Sequence, residues 1–293
     1  MSLQLMLDRG AIDSMGESRA EFRPADLTPG SWRSLVVTGR GEVAVQGDRL
    51  WTTRQLGSAE PYLLGRDPNG TIYLAHLWDG TGLPVGVQFR PLIEMAATLG
   101  DNESFLAAQA VALGRWHDTD RYCVRCGHRV QSAEAGWASR CQHCGHVEYP
   151  RTDPVVIVRV TDGQDRVLLA HNAAWDRPML SVPAGYIEAG ETPRRAIERE
   201  LWEEVSVPVQ NFSYLGAQPW PGPRSLMLAF HAETIGDEVE PVPDRVEIDY
   251  ARFFARDEYV AALQTGQILA PRPSSIAAAM LSDWLGAPLP YPQ

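Results

Sequence analysis

Long apolar runs are absent from this sequence of 293 residues, of which 44% are hydrophobic and 22% charged. A membrane-spanning helix needs roughly 20 consecutive apolar residues, and no run approaches that length, so we expect no transmembrane segment. A basic leader followed by an apolar stretch is missing from the start, MSLQLMLDRG, and a lipidation or peroxisomal signal from the end, PLPYPQ. These absences predict a cytoplasmic globular protein.

An excess of positive charge is also missing. The chain has 26 Lys and Arg residues against 37 Asp and Glu residues, which gives a formal net charge of −11. A broad electropositive surface that grips nucleic acid through its phosphates is therefore not expected. An RNA-binding site on a smaller part of the surface remains an alternative.

Cysteine is scarce, and its four copies fall within one short window instead of spreading along the chain as a disulfide framework would. Two CxxC pairs can place four thiolates tetrahedrally around one zinc ion. Such a closed shell leaves no position for water, so the predicted Zn²⁺ is structural. Its predicted ligands are Cys123, Cys126, Cys141 and Cys144. The residues that could replace one sulfur are His128, His143 and His146.

A nucleic-acid-binding zinc ribbon is the alternative interpretation of the same segment. The arginines in or beside it are Arg121, Arg125, Arg129, Arg140 and Arg151. Glu134 and Glu148 interrupt this set, and so short and mixed a basic patch is weak evidence for phosphate binding. A purely structural ribbon is favoured.

Residues 1–120 contain short apolar stretches broken by Gly, Asn and Asp turns, which predict a β-rich N-terminal domain. The predicted strands are SLVVTG, EVAVQGDRLW, PYLLGRDPNG and TIYLAHLW, and a helix is expected from about Ser104. No catalytic constellation is found in this domain. Packing or dimerisation is therefore its expected role.

Residues 121–149 form the predicted ribbon, and residues 150–293 have a mixed helix and strand pattern. PVVIVRV and RVLLAH are expected to pair around the turn TDGQD, with further strands at NFSYLGAQ, SLMLAFHAE and ARFFA. Helices are predicted from about Pro193 to Val205 and from Ser274 to Leu285.

The sequence predicts both the start and the buried face of the helix near Pro193. Thr192 can cap the first amides, and Pro193 suits the first helical position. An apolar stripe recurs at i, i+4 and i+8, on Ile197, Leu201 and Val205. Three carboxylates cluster along another side: Glu200, Glu203 and Glu204.

Clustered carboxylates repel one another, and Glu200 with Glu204 would mildly destabilise an isolated helix. A divalent cation reverses that penalty. Hard oxygen ligands suit Mg²⁺ or Mn²⁺, which can bridge a diphosphate and neutralise charge as phosphorus is attacked. Arg199, four residues before Glu203, can orient a carboxylate. A solvated Glu-rich face is the simpler alternative, and the spacing of the glutamates alone does not decide between them.

The residues around the glutamates favour the metal site. The segment matches Gly-x5-Glu-x7-Arg-Glu-apolar-x-Glu-Glu-x-Gly-apolar at Gly185, Glu191, Arg199, Glu200, Glu203 and Glu204, and it therefore resembles the Nudix box. Ser206 stands where the box has Gly. That Gly serves a left-handed helix end, which Ser tolerates at modest cost, so we expect retained metal binding.

A second motif narrows the resemblance. Gln218-Pro-Trp-Pro-Gly-Pro-Arg-Ser225 is similar to SQPWPFPxS, which follows the Nudix box in the NADH pyrophosphatase family. The order of zinc ribbon, box and QPWP is also that of the family, and the resemblance covers about residue 85 to the end. Ala217 replaces the first Ser of the motif and Gly222 replaces its Phe, so the two departures bear on the exact substrate.

The resemblance implies an α+β fold, in which a Nudix α/β/α sandwich follows a β-rich N-terminal domain and a zinc ribbon, and it implies a homodimer. The implied ligands of Mg²⁺ or Mn²⁺ are the carbonyl of Ala184 and the side chains of Glu200, Glu203, Glu204 and Glu247. The implied substrate-binding residues are Arg90, Tyr149, Tyr186, Gln218, Pro219, Trp220, Pro221, Gly222, Pro223, Arg224, Ser225 and Ala277. Their aromatic rings would stack on a base or on nicotinamide, and ordinary packing is the alternative.

The implied reaction is attack of water on the diphosphate of NADH or NAD, giving nicotinamide mononucleotide and AMP. Glu200, Glu204 and Glu247 hold the metals, while Glu203 or a metal-held hydroxide supplies the base. A diphosphatase for ADP-ribose or for NAD-capped RNA ends shares this chemistry. An inactive scaffold that senses a nucleotide or binds RNA is the alternative from another class, and the intact box carboxylates argue against it.

Overall fold

The computed structural model describes residues 3, 5–7, 10–56, 60–236 and 238–291. Its internal contacts divide the chain into two compact units. The first unit comprises Met1–Leu5, Asp153–Gln218 and Leu226–Gln293, and the second comprises Met6–Thr152 and Pro219–Ser225. The ribbon segment is grouped with the second unit, and the division into three domains stays a prediction. Among the described residues, no helix has the length and apolar character that crossing a membrane requires.

The second unit begins with a seven-stranded sheet and two helices. The strands are β1 Trp32–Val37, β2 Glu42–Gln46, β3 Arg49–Leu50, β4 Thr52–Thr53, β5 Tyr62–Arg66, β6 Ile72–Leu77 and β7 Val87–Pro91. The helices are α1 Leu92–Met95 and α2 Asp101–Thr119. The sheet has the order β3-β2-β1-β6-β5, with β4 paired to β1 and β7 paired to β2. The predicted β-rich domain is therefore present, and sequence reasoning missed β7.

Helix α2 packs on this sheet through a close backbone approach. A Cβ at Gly114 would lie 2.7 Å from Cγ2 of Val37, so only glycine lets the helix come this near to β1. The helix begins three residues before the predicted Ser104, because the Glu103 carboxylate accepts the Gly100 N–H at 3.2 Å and caps the first turn. Leu35 and Val111 are among the residues of the resulting core.

The ribbon forms a small antiparallel sheet of its own. Its strands are β8 Val130–Ala133, β9 Ala138–Cys141 and β10 Val147–Glu148, in the order β10-β9-β8. The first CxxC segment, residues 123–126, precedes β8, and the second, residues 141–144, begins at the last residue of β9 and leads to β10.

The first unit contains three helices and most of a six-stranded sheet, of which residues 219–220 and 225 are grouped with the second unit. The strands are β11 Asp153–Thr161, β12 Val167–Asn172, β13 Ala184–Tyr186, β14 Val209–Trp220, β15 Ser225–Thr234 and β16 Ile248–Phe254. The helices are α3 Pro193–Val205, α4 Arg256–Gln264 and α5 Ile276–Leu285. The sheet has the order β14-β15-β11-β12-β16, and β13 pairs with β11.

Alternate residues of β11 face two different cores. Val156, Val158 and Val160 pack with the apolar stripe of α3, whereas Ile157 packs with α4 and α5. Helices therefore cover both faces of the sheet, as in the predicted α/β/α sandwich. The predicted pairing of PVVIVRV with RVLLAH is confirmed, since β11 and β12 are antiparallel. Helix α3 has the predicted bounds, whereas β13 and α4 were not predicted.

Candidate active site

Helix α3 begins and ends where its sequence indicates. Thr192 adopts an extended conformation, and its hydroxyl accepts the backbone N–H of Arg195 at 3.4 Å. At the other end Ser206 has φ 56° and ψ 33°, and its N–H donates to the carbonyl of Trp202 at 3.1 Å. This is a left-handed cap, so the predicted conformation of Ser206 is confirmed.

Burial of one stripe of α3 fixes the direction of its carboxylates. Ile197, Leu201 and Val205 are fully buried. The glutamates then differ in exposure: the side chain of Glu203 is 58% exposed, that of Glu200 is 16% exposed, and Glu204 as a residue is 5% exposed. One helix therefore presents an exposed carboxylate, a mostly covered one and a buried one.

Arg199 holds the box together. Its Nε and Nη2 donate to the two carboxylate oxygens of Glu191, both at 2.9 Å, and Nη2 also donates to the carbonyl of Tyr186 at 2.9 Å. Its Nη1 donates to Glu200 at 2.8 Å and to Glu203 at 3.2 Å. The Arg199 hydrogen bonds, helped by the N–H of Glu188, lower the pKa of Glu191 to about 2. One guanidinium thus orients three carboxylates.

Gly185 allows β13 to touch the helix. A Cβ at this position would lie 1.9 Å from Cδ of Glu200, which is a direct overlap. Gly185 is paired with Val156 of β11, and the neighbouring Ala184 is paired with Ile157, so the sheet holds this backbone in place. The box glycine is therefore required by the close approach of Glu200, and the position of the Ala184 backbone is fixed beside it.

Glu204 is the electrostatic centre of the site. Its Oε2 is buried and has no hydrogen-bond partner. Burial, together with the negative charges of Glu200 and Glu247, raises the pKa of Glu204 to about 8. A buried, unpaired carboxylate oxygen surrounded by other carboxylates is what a divalent cation satisfies, so these residues fit Mg²⁺ or Mn²⁺.

The carboxylates of the cluster are not drawn tightly together. Among the described residues, no three of them bring oxygens within 4.8 Å of one another. Arg199 pairs with Glu200 and Glu203, so the guanidinium offsets part of their negative charge. Burial also raises the pKa of Glu200.

Sequence reasoning missed Asp244, which builds the loop that carries Glu247. Its carboxylate accepts the N–H groups of Val246 and Glu247, both at 3.1 Å, and of Ile248 at 2.8 Å. Its own N–H donates to the carbonyl of Glu204 at 3.0 Å. The loop before β16 is thereby tied to the end of α3. An Asp followed by residues that need a turn is the sequence signal that could have revealed it.

The predicted substrate-binding residues are divided between the two units. In the first unit, Tyr186 is 53% exposed on β13, Ala277 is buried in the first turn of α5, and Gln218 donates to the carbonyl of Ser274 at 2.9 Å. Arg90, on β7 of the second unit, is ion-paired with Glu94 at 3.0 Å. The other members in the second unit are Tyr149, Pro219, Trp220, Pro221, Gly222, Pro223, Arg224 and Ser225.

The four cysteines converge in the ribbon. Sγ of Cys123 lies 3.7 Å from Sγ of Cys144, and Sγ of Cys126 lies 3.4 Å from Sγ of Cys141. All four sulfurs lie within 4.8 Å of one another. The knuckles are built alike: the Cys123 N–H donates to the His128 carbonyl and the Cys141 N–H to the His146 carbonyl, both at 2.8 Å. Four converging thiols fit a tetrahedral Zn²⁺.

Histidine ligation of this zinc is the weaker arrangement. Cys126, His128 and His143 also bring ligand atoms within 4.8 Å of one another. The two imidazole rings are stacked, however, with centroids 3.8 Å apart and planes 3° from parallel. An imidazole lone pair lies in its ring plane, so two stacked rings cannot aim at one ion. The four-cysteine site is therefore favoured.

Comparison with known proteins adds two family matches. The model of the NUDIX domain matches residues 150–272, and that of the NADH pyrophosphatase zinc ribbon domain matches residues 118–149. The NAD-capped RNA hydrolase NudC of Pseudomonas aeruginosa (strain LESB58) is 36% identical over 252 residues, which cover 83% of this chain and 88% of that protein.

A second relative matches over a shorter length. The NAD-capped RNA hydrolase NudC of Mycobacterium bovis (strain BCG / Pasteur 1173P2) is 42% identical over 194 residues, or 64% of this chain. The chain spans 62% of the length of that relative. Among solved structures, a NUDIX hydrolase from Nitrosomonas europaea is similar with a TM-score of 0.41 and 24% identity, over 47% of this chain and 79% of that one.

Proposed function

Since the chain belongs to the Nudix hydrolases that carry the NADH pyrophosphatase zinc ribbon, we propose that it hydrolyses the diphosphate of NADH or NAD. The products are nicotinamide mononucleotide and AMP, and NAD-capped RNA 5′ ends are a further substrate. The observation that supports this most is Glu204, whose buried and unpartnered oxygen lies in an intact box of carboxylates.

Each residue of the box has a separate task. Glu200, Glu204, Glu247 and the Ala184 carbonyl hold Mg²⁺ or Mn²⁺, which supplies Lewis-acid charge for the diphosphate. Glu203, the exposed carboxylate, accepts the proton of the attacking water. Arg199 keeps Glu200 and Glu203 in place through hydrogen bonds from its Nη1.

The heterocycles of the substrate need flat surfaces. Tyr186 and Tyr149 are exposed by 53% and 61%, and tyrosine rings can stack on a flat heterocycle. Trp220 and the other residues of the Gln218–Ser225 segment, with Ala277 and Arg90, complete the proposed substrate-binding set. The homodimer and the cytoplasmic location stay predictions from the sequence.

The test is a substrate panel with Mg²⁺ and with Mn²⁺ in turn, read by chromatography of the products. We expect metal-dependent release of AMP from NADH or NAD, and of nicotinamide mononucleotide from NAD-capped RNA, which is left with a 5′ monophosphate. Glu204→Gln should remove turnover, whereas Glu198→Gln, on the same helix and paired with Arg194 and Arg195, should keep it. The absence of AMP release with either metal, or near-normal turnover by Glu204→Gln, would refute the proposal.

ADP-ribose is the second candidate substrate. The observation that favours it is Gly222, which offers no ring where the family motif has Phe, so recognition of the nicotinamide end is weakened. Higher kcat/KM on ADP-ribose than on NADH and NAD would establish this alternative. Metal-dependent turnover of any member of the panel excludes the inactive scaffold.

A further inference from the structure

Glu247 differs from the other predicted carboxylate ligands because a loop carries it. Glu200, Glu203 and Glu204 belong to helix α3, whereas Glu247 is exposed in the loop that leads into β16. A loop that becomes ordered only when its ligand binds loses conformational entropy at that moment, and this loss weakens the affinity. The affinity of the site for a cation therefore depends on what holds Glu247 beforehand.

The charge of Glu247 acts on the carboxylates of α3. Burial is the main cause of the raised pKa of Glu204 and of Glu200, and the negative charge of Glu247 contributes to both shifts. Charges that are far apart in solvent are screened from one another. The Glu247 carboxylate is thus near the two buried or mostly covered carboxylates, and its placement decides how well the three can share a cation.

One oxygen of Asp244 holds the backbone of this loop. Its Oδ1 accepts the N–H groups of Val246 and Glu247, both at 3.1 Å, and of Ile248 at 2.8 Å. Its Oδ2 adds a longer contact with the Glu247 N–H at 3.3 Å. Hydrogen bonds to an ionised carboxylate are stronger than those between neutral groups. Removal of this side chain would release the N–H of Glu247 together with those of both its neighbours.

Backbone hydrogen bonds connect the same loop to its surroundings on two sides. The Asp244 N–H donates to the carbonyl of Glu204 at 3.0 Å, which ties the start of the loop to the end of α3. The Ala173 N–H donates to the carbonyl of Glu247 at 2.8 Å. The Asp244 side chain therefore connects the N–H of Glu247 to a residue that is itself bonded to Glu204.

We propose that Asp244 is a positioning residue of the metal site, which holds Glu247 against the end of α3 so that Glu204 and Glu247 bind one cation together. Asp244 acts through Glu247 and is not itself a ligand. The inference rests on the proposed function, because that function supplies the roles of Glu204 and Glu247. Loss of a residue that orients a metal ligand typically weakens metal affinity by about 10-fold to 100-fold.

The experiment is a Mn²⁺ titration of the full-length zinc-loaded protein, read by the electron paramagnetic resonance signal of free Mn²⁺, to which zinc contributes nothing. Asp244→Ala should weaken Mn²⁺ binding by about tenfold or more. Asp244→Asn should bind Mn²⁺ nearly as well as the wild type, since its amide oxygen can replace Oδ1 and accept the same N–H groups. Equal weakening in both variants would show that the charge of Asp244 acts instead of its hydrogen bonds, and it would overturn the inference.

A double-mutant cycle tests whether Asp244 acts through Glu247. Glu247→Gln should itself weaken Mn²⁺ binding, and the addition of Asp244→Ala should cause no further loss, because the ligand to be positioned is already missing. A merely structural role would make the two losses multiply. Multiplied losses, or unchanged Mn²⁺ affinity in Glu247→Gln, overturn the inference.

Two further variants control for a general effect on folding. Asp67 also accepts two backbone N–H groups, those of Asn69 at 2.9 Å and Thr71 at 2.8 Å, in the loop between β5 and β6. Asp67→Ala is therefore the matched control, and weakened Mn²⁺ binding in it would count against the inference. If Asp244→Ala does not fold, Asp244→Glu replaces it: this variant keeps the charge but moves the carboxylate by one methylene, and wild-type affinity in it would overturn the inference.

The two failures are distinguishable because Mn²⁺ binding is measured without substrate. The expected pattern of Mn²⁺ affinities with no hydrolysis of NADH or NAD overturns the proposed function alone. Hydrolysis of NADH by the wild type, with wild-type Mn²⁺ affinity in Asp244→Ala, overturns this inference alone.

Discussion

The two metal-binding regions of this chain are assembled by different means. In the ribbon, two similar knuckles bring four sulfurs within 4.8 Å of one another through local backbone hydrogen bonds. In the first unit, the carboxylates come from a helix and a distant loop, and Arg199 pairs with two of them while a third is buried. The ribbon thus gathers its ligands through local backbone geometry, whereas the box depends on tertiary contacts between separate segments.

The largest expected effect is a loss of catalysis at the Mg²⁺ or Mn²⁺ site that leaves the zinc site unchanged. Glu204→Gln removes the buried charge that the catalytic cation needs, so kcat should fall on the order of 1000-fold. Zinc should stay at one ion per chain, because the variant lies in the other unit. Metal analysis and steady-state kinetics measure the two quantities. Loss of zinc in this variant would break the comparison.

The reverse experiment removes a buried thiol of the ribbon. Cys141→Ala should lose zinc and the hydrogen-exchange protection of β9, since the binding free energy of a structural zinc is folding free energy. Gln142→Ala, an exposed neighbour in the same knuckle, should retain both. If the amides of β9 stay protected in Cys141→Ala, the metal does not stabilise the ribbon.

A steric change at the box comes next in size. Gly185→Ala places a methyl group on the Glu200 carboxylate, so we expect kcat/KM to fall about 100-fold while the circular dichroism spectrum is unchanged. Gly82→Ala, where an added Cβ meets nothing within 4 Å, is the matched control. Equal activities of the two variants would show that Glu200 can move without consequence.

Local signals explain why much of the fold and the site was predictable from the sequence. Thr192 and Pro193 indicate the start of helix α3, and the CxxC spacing indicates the knuckles. The unpaired Glu204 oxygen and the bridging role of Asp244 were not predictable. They depend on which distant segments bury them, and no periodicity or spacing carries that information.

The pH dependence of stability is a further test of the difference between the carboxylate box and the ribbon. Burial raises the pKa of Glu204 to about 8, above the ordinary glutamate value of an unfolded chain. Its proton therefore stabilises the fold fully below the ordinary value, and that contribution is lost as pH rises toward and through 8. Without Mg²⁺ or Mn²⁺, the Tm should fall between about pH 5 and about pH 9, more steeply than in Glu204→Gln. Added Mg²⁺ should reverse the loss at high pH, and parallel curves for the two proteins would contradict this.

The smallest expected effect concerns Ser206, which stands where the Nudix box has Gly. Ser206 adopts φ 56°, a conformation that costs a residue with a Cβ more than it costs glycine. Ser206→Gly should therefore raise the free energy of unfolding by about 0.5 to 1 kcal/mol in urea denaturation, with kcat unchanged. Ser213→Gly makes the same chemical change in β14, outside the left-handed region, and should lower it. If the free energy of unfolding rises in Ser206→Gly alone and kcat is unchanged, Ser206 affects only the stability of the helix end and the carboxylates stay in place. A change in kcat would mean that the cap positions Glu203 and Glu204.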